Sequence, residues 1–170
     1  ISQSLAPGGD QIIMGNEDPR YEFGFRFNAS YKGFDFSMFW QGVGKQFHTL
    51  DGALAEGPAY QNFIPKEMTD NAYDAVTNPD GTWPRAIAGG NWNIVKSTFW
   101  LIDTKYLKLK NFQVGYTIDQ NVFSNFRIFV SGENMLTFSP QKLFDPETPR
   151  GRSQFFPQTK TMSLGLSIVF

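Results

Sequence analysis

The chain has 170 residues, a formal net charge of −1 and no cysteine. The missing cysteines exclude disulfides, thiolate chemistry and cysteine metal sites, and the near-zero charge leaves no basic excess to hold nucleic acid. Aromatic residues make up 16% of the chain, with 18 Phe, yet hydrophobic residues reach only 41% and the mean hydropathy is −0.33. Many aromatics in a polar background suit a wall between lipid and water better than a compact soluble core. No apolar run approaches the roughly 18 residues of a membrane-spanning helix, so a membrane is expected to be crossed by strands. Ile1 stands first, with no charged-then-apolar signal segment before the body, and this end reads as cut or processed.

Residues 1–20 read as the tail of an outer loop. The segment YEFGFRFNASY then alternates strictly: Tyr21, Phe23, Phe25, Phe27, Ala29 and Tyr31 share one face, and Glu22, Gly24, Arg26, Asn28 and Ser30 the other. After Lys32-Gly33 comes FDFSMFW, with Phe34, Phe36, Met38 and Trp40 opposite Asp35, Ser37 and Phe39. Two alternating runs around a Lys-Gly pair predict a hairpin over 21–46 with a very tight turn. Residues 47–98 are rich in Pro, Gly, Asn and Asp and read as a long loop. Within them Asn78-Pro79-Asp80-Gly81 predicts a tight turn, because Pro presets φ and Gly supplies the open one.

A second hairpin is predicted over 99–139. In YLKLKNFQVGYTI, Leu107 and Leu109 lie on one phase and Phe112, Val114, Tyr116 and Ile118 on the other, so a β-bulge near Lys110-Asn111 is needed to reconcile them. In FRIFVSGENMLTF, Phe126, Ile128 and Val130 alternate with Arg127, Ser131 and Glu133, but the pattern is lost from Asn134 onward. Residues 119–125 form a short polar link. Residues 140–158 form another long loop, in which Arg150 and Arg152 beside Asp145 and Glu147 read as a solvated surface. The terminal strand, 159–170, carries Met162, Leu164, Leu166, Ile168 and Phe170 on one face and mostly small polar residues on the other.

Short and long connections alternate, as the periplasmic turns and extracellular loops of a transmembrane barrel do. The fold class expected is therefore all-β, a transmembrane antiparallel barrel of which this chain holds five strands or so. Five strands leave open edges that hydrocarbon does not tolerate, so the remaining strands must be supplied from outside this segment. The face expected to meet lipid comprises Phe23, Phe25, Phe27, Phe36, Met38, Trp40, Val114, Tyr116, Ile128, Val130, Leu164, Leu166 and Ile168. Glu22, Arg26, Asp35, Arg127 and Glu133 would then solvate and cross-link a wet lumen.

The stretches GDQIIMGNEDPRYEFGF and SYKGFDFSMFWQGVGKQ resemble the late-barrel signature of SusC/RagA-type TonB-dependent transporters. So do STFWLIDTKYLKLKNFQVGYTI, FVSGENMLTFSP, FDPETP and the strand ending in Phe170, all in the family's order. The resemblance covers nearly the whole chain except about 50–95. It implies the C-terminal portion of a barrel of about 22 strands in the bacterial outer membrane, with a plug folded inside. It further implies active import of oligosaccharides or peptides, energised through upstream segments by the TonB complex, with a SusD-like surface lipoprotein as lid. Phe170 resembles the terminal signal read by the outer-membrane assembly machinery. No cofactor is implied.

No catalytic constellation emerges. His48 is the only histidine and reads as a loop residue just beyond a strand, without the partners a relay or metal site needs. Asp70, Asp74 and Asp80, with Asn71 and Asn78, make an oxygen-rich loop, but not at the alternate spacing of a calcium loop. Tyr60, Tyr73, Trp83, Trp92 and Trp100 are candidates for contact with substrate or lid, against the alternatives of rim packing and membrane-surface girdle. Three other readings compete: a siderophore- or vitamin-type receptor without a lid, a soluble β-sandwich carbohydrate-binding module, and a small β-scaffold enzyme. The last needs a catalytic group, and none is marked.

Overall fold

The structure, a computed structural model, describes residues 5, 7–9, 11–50, 64–85, 97–118, 125–148 and 158–169. Its main body is one antiparallel sheet. The strands are β1 (Arg20–Tyr31), β2 (Phe34–Lys45), β5 (Tyr106–Ile118), β6 (Asn125–Phe138) and β7 (Thr161–Val169), in the order β1-β2-β5-β6-β7. Two short strands, β3 (Phe47–Thr49) and β4 (Leu101–Asp103), pair separately.

The tight turn between β1 and β2 follows from its two residues. Lys32 has φ of 45° and Gly33 of 84°. Positive φ at both central positions is the turn whose twist matches a two-residue hairpin, and Gly adopts it without steric cost. The turn is tied to the third strand of the sheet, because the Thr117 amide donates to the Gly33 carbonyl at 2.8 Å.

The bulge required by the sequence occurs at Lys110. β2 and β5 pair through Phe39↔Asn111 and then Trp40↔Leu109, so Lys110 is the unopposed residue. The extra residue turns Leu107 and Leu109 onto the same face as Phe112 and Val114. The upper half of β6, which the alternation left unphased, is reset by a second irregularity. Pairing passes from Asn111↔Glu133 to Leu109↔Leu136, and Asn134 takes φ of 53°. Asparagine is among the few non-glycine residues that accept this left-handed backbone. Leu136 and Phe138 thereby rejoin the apolar face.

On that face Gly42 and Gly132 sit directly opposite Phe23 and Phe112, and an added Cβ would lie 2.6 and 2.2 Å from those rings. On the other face Phe129 covers Gly165 in the same way. A side-chain-free position in a strand loses packing surface, and a cross-strand aromatic restores it.

The remaining described residues, within 1–18 and 46–103, belong to a second compact unit. It contains the β3–β4 pair, a short helix α1 (Lys66–Asp70) and a 3-10 turn at Thr98–Trp100 that enters β4. Sequence reading assigned 47–98 to loop and began a hairpin at 99. The structure instead closes the β3–β4 pair around that segment and starts the long strand only at Tyr106.

One element of the sheet is directly testable. Asp35 on β2 and Arg127 on β6 meet across the intervening β5, with Nε to Oδ1 at 2.9 Å and Nη2 to Oδ2 at 2.5 Å. They meet because β5 presents Gly115 there: a Cβ on Gly115 would lie 2.4 Å from Arg127 Nη2 and 2.5 Å from Asp35 Oδ1. Gly115→Val should part the pair and destabilise the sheet by about 1–3 kcal/mol, the usual overpacking cost. Thermal unfolding of the intact protein would show it, with Gly115→Ala between the two. A wild-type midpoint for Gly115→Val would mean the strands hold without the pair.

The candidate functional site is a two-faced wall with an ion cluster at one end

The register brings every predicted apolar residue to one side. Phe25 faces Trp40, and Phe27 faces Met38. Phe36 continues to Val114, and Phe34 to Tyr116. Val114 continues to Val130 and Tyr116 to Ile128; Val130 then meets Leu164, Ile128 meets Leu166, and Phe126 meets Ile168. Phe23 lies on the same side through Gly42. These side chains are largely uncovered: Leu164 is 72% exposed, Leu166 61% and Phe25 47%. A contiguous exposed apolar surface running across five strands is far larger than a soluble monomer carries. The soluble sandwich would bury these side chains, and among the described residues they are not buried. Rings stack along this face, Phe25 on Trp40 at 6.1 Å and Trp40 on Phe138 at 6.3 Å.

The opposite side is polar. Glu22, Arg26, Asp35, Arg127 and Glu133 fall on it by register, with Asn28, Ser37, Asn111, Gln113 and Ser131 between them. Arg26, Ser37, Asn111, Gln113, Ser131 and Glu133 help to line an open hollow of about 370 Å³. Phe39 and Phe129 interrupt the polar surface, and each carries an arginine guanidinium over its ring: Arg26 at 5.7 Å and Arg127 at 4.8 Å. Such contacts hold a charge in place while leaving it wet.

At the end of the sheet that bears the long connections, the same side carries a buried ion cluster. Lys108 is only 1% exposed. Its Nζ donates to both carboxylate oxygens of Asp145 at 2.9 Å and to Glu147 Oε2 at 2.9 Å. Lys110 Nζ donates to Glu147 at 3.1 and 2.9 Å. Both lysines also reach Gln158 Oε1, at 3.5 and 3.4 Å. The Asp145 carboxylate is further fixed by the Glu147 amide at 3.0 Å. Burial pushes the Glu147 carboxyl up, but hydrogen bonds from Lys110 and Lys108 and their charges outweigh it and hold the group below its ordinary value.

This cluster corrects the sequence reading, which treated Asp145 and Glu147 as part of a solvated surface. The missed signal was the spacing Tyr-Leu-Lys-Leu-Lys in β5. It puts Lys108 on the polar side with Tyr106, where a buried lysine requires anions. Arg150 and Arg152 lie outside the described residues.

Of the predicted contact residues, Tyr73, Trp83 and Trp100 are among those described. Tyr60, Trp92 and Phe170 lie outside the described residues. Trp83 and Trp100 do come together in the second unit, with ring centroids 6.2 Å apart, and Phe99 contacts them at 5.6 and 5.0 Å. Trp100 is buried there, which fits a packing role. Tyr73 is exposed and pairs through its backbone with Trp83. The expected turn at Asn78-Pro79-Asp80-Gly81 is closed by the Gly81 amide on the Asn78 carbonyl at 3.1 Å. The oxygen-rich loop does not converge: Asp70 is engaged by Lys66, whereas Asp74 accepts the Val76 and Thr77 amides at 2.9 Å. His48 is not a loop residue; it is buried in β3 opposite Ile102.

No family model matches the chain. Among curated proteins it is similar to the TonB-dependent receptor P3 of Formosa agariphila, 22% identical over 187 residues. It is also similar to the TonB-dependent receptor P26 of the same organism, 26% identical over 183 residues. Each match covers 95% of this chain, which spans only 17% and 18% of the two receptors. In fold it matches the RagAB peptide importer in its open-open state, with a TM-score of 0.66 and 23% identity over 90% of this chain and 17% of that one. The closed-closed state gives 0.65 and 23% over 89% and 17%.

An all-β antiparallel sheet with one exposed apolar face and one charged face has the fold of part of a TonB-dependent β-barrel. In sequence the chain is thus similar to TonB-dependent receptors, and in fold to part of the RagAB peptide importer.

The ion cluster has a pH signature. Because the Glu147 carboxyl is held below its ordinary value of 4.5, its stabilising contribution is complete above that pH and is lost as pH falls through the folded value. Lys108 and Lys110 are the charges it faces, and the Tyr106 side chain hydrogen-bonds with it. The melting temperature of the intact protein should therefore exceed that of its Glu147→Gln variant at pH 7, and the gap should narrow below about pH 4.5. A gap that stays constant down to pH 3 would mean the carboxylate charge is not what holds the cluster.

Proposed function

We propose that this chain forms part of the wall and outer connections of a transporter that imports oligosaccharides or peptides across the bacterial outer membrane. The observation that carries this reading is the sheet itself. Its apolar residues share one exposed face and its charges share the other, while β1 and β7 each present an edge unpaired within the described residues. In hydrocarbon an unpaired strand edge costs several kcal/mol per polar group, so these edges are completed by neighbouring strands of a closed barrel. The apolar face then meets lipid and the polar face meets the lumen. The two-residue turn at Lys32-Gly33 lies on the periplasmic side, and the long connections lie outside.

Energy comes from the TonB complex, acting through parts of the transporter beyond this chain. A SusD-like surface lipoprotein covers the outer mouth and captures substrate with it. The similarity to a peptide importer supports this arrangement over a lidless siderophore- or vitamin-type receptor. The chain's own part is passive: no described residue is placed to perform a chemical step. It holds the barrel closed, presents a polar lining and supplies outer connections.

The reading is tested on both levels. Detergent extraction of outer membranes should yield this sequence within a polypeptide several times larger than 19.3 kDa, together with a lipoprotein. A water-soluble 19.3 kDa species would overturn the assignment. Arginine at Phe25 or Leu166 should sharply reduce assembled barrel, since a mid-bilayer, lipid-facing arginine costs about 2–4 kcal/mol. Arginine at Ser163, on the opposite face, should leave the level unchanged. Normal assembly of all three would mean the membrane is absent, and loss of the Ser163→Arg barrel alone would mean the faces are reversed.

A further inference from the structure

The ion cluster joins two parts of the chain that sequence separates widely. Lys108 and Lys110 stand on β5, whereas Asp145 and Glu147 lie in the connection between β6 and β7, and Gln158 lies at its far end just before β7. We infer that the described ends of this connection, 139–148 and 158–160, are not free but are strapped to the polar face of the sheet, with Asp145 and Glu147 as the strap and the two lysines as its anchor. They would thereby form a fixed piece of the lining beneath the mouth.

The geometry supports a built anchor rather than a chance surface contact. Asp145, Glu147 and Lys110 have side-chain exposures of 14%, 11% and 22%, and Lys108 only 1%. Exposed pairs contribute little, but a buried cation left without its anions is strongly unfavourable, so the lysines and carboxylates hold one another in register. The two sides balance, two cations against two anions. The Lys110 bulge is part of the device. It leaves an extra residue in β5 at the point where a second lysine has to reach the strap. The strap segment is shaped for its task as well. The Glu147 and Thr148 amides and the Gln141 side chain close local hydrogen bonds with Asp145 and Phe144. Pro146, between the two carboxylates, is buried and limits the backbone conformations open to the segment. Asn134 ties the far end in, donating to the Thr159 carbonyl at 3.3 Å.

The inference needs the barrel reading only to say which side of the membrane the strap faces. It is tested on the full transporter in whole cells with a glutamate-specific protease added outside, scoring cleavage after Glu147 while assembled barrel is quantified separately. The wild type should be cut slowly. Lys108→Met/Lys110→Met, which frees the strap, should be cut at least ten times faster. Lys142→Met, an exposed lysine of the same connection outside the cluster, should behave as wild type. Because removing both lysines strands two carboxylates, Lys108→Met/Asp145→Asn serves as a charge-balanced second variant, and it too should be cut faster while assembling normally. Unchanged cleavage in either variant at normal barrel level would overturn the strap. So would failure of the balanced variant to assemble, since the lysines would then serve the wall and not the connection. If, however, Lys108→Met/Lys110→Met cells resist the protease but their membranes, opened on the periplasmic side, are cut at least ten times faster than opened wild-type membranes, the strap stands and the orientation of the barrel reading fails.

Discussion

The backbone of a strand in hydrocarbon has no water to fall back on, so every amide and carbonyl that faces lipid must be paired within the sheet. That requirement fixes the side chains too. Once the ladder is continuous, alternate residues go to opposite faces with no freedom to choose, and each residue type must suit the medium its parity assigns it. In this sheet the constraint is met over almost the whole of β1, β2 and β7 by strict alternation, from Phe23 to Tyr31 and from Met162 to Ile168. Where β5 departs from parity, the ladder is repaired at Lys110, and the apolar set stays on one side.

Glycine and aromatic residues are the second half of the same solution. Gly115 is empty so that Asp35 and Arg127 can meet over it, and Gly165 is empty beneath Phe129, whose ring also supports Arg127. The polar face is thus a connected surface running from β2 to β7 rather than a scatter of charges. Its members are cross-braced at short range. On the apolar side the same device appears with Phe23 over Gly42 and Phe112 over Gly132. There it fills what would otherwise be notches in the apolar surface.

Much of this was legible in the sequence, because period-two alternation is a strong signal when the apolar members are as large as Phe and Trp. The strands, the Lys32-Gly33 turn and the need for a slip near Lys110 could all be read from residues 21–118. What could not be read had a common cause: it depended on contacts between segments far apart in the chain. The phase of β6 beyond Asn134 is set by a left-handed residue, and composition does not announce φ of 53°. The β3–β4 pair rests on three residues on each side, too few to show a period. Asp145 and Glu147 looked like solvated loop carboxylates because their partners, Lys108 and Lys110, precede them by 37 residues or more.

Those four charges show what a polar sheet face can demand of its residues. A soluble protein can leave a loop carboxylate in water at little cost, and a surface lysine likewise. Lys108 instead is withdrawn from solvent on the polar side of the sheet, where a lone cation would be expensive. Supplying the anions from the adjoining connection does two things with one set of contacts: the lysine is compensated, and the described ends of the connection are drawn against the sheet. The Lys110 bulge keeps the apolar residues of β5 on one face and allows a second lysine on the other. A single extra residue in β5 therefore couples the continuity of the apolar face with the ion cluster on the polar one.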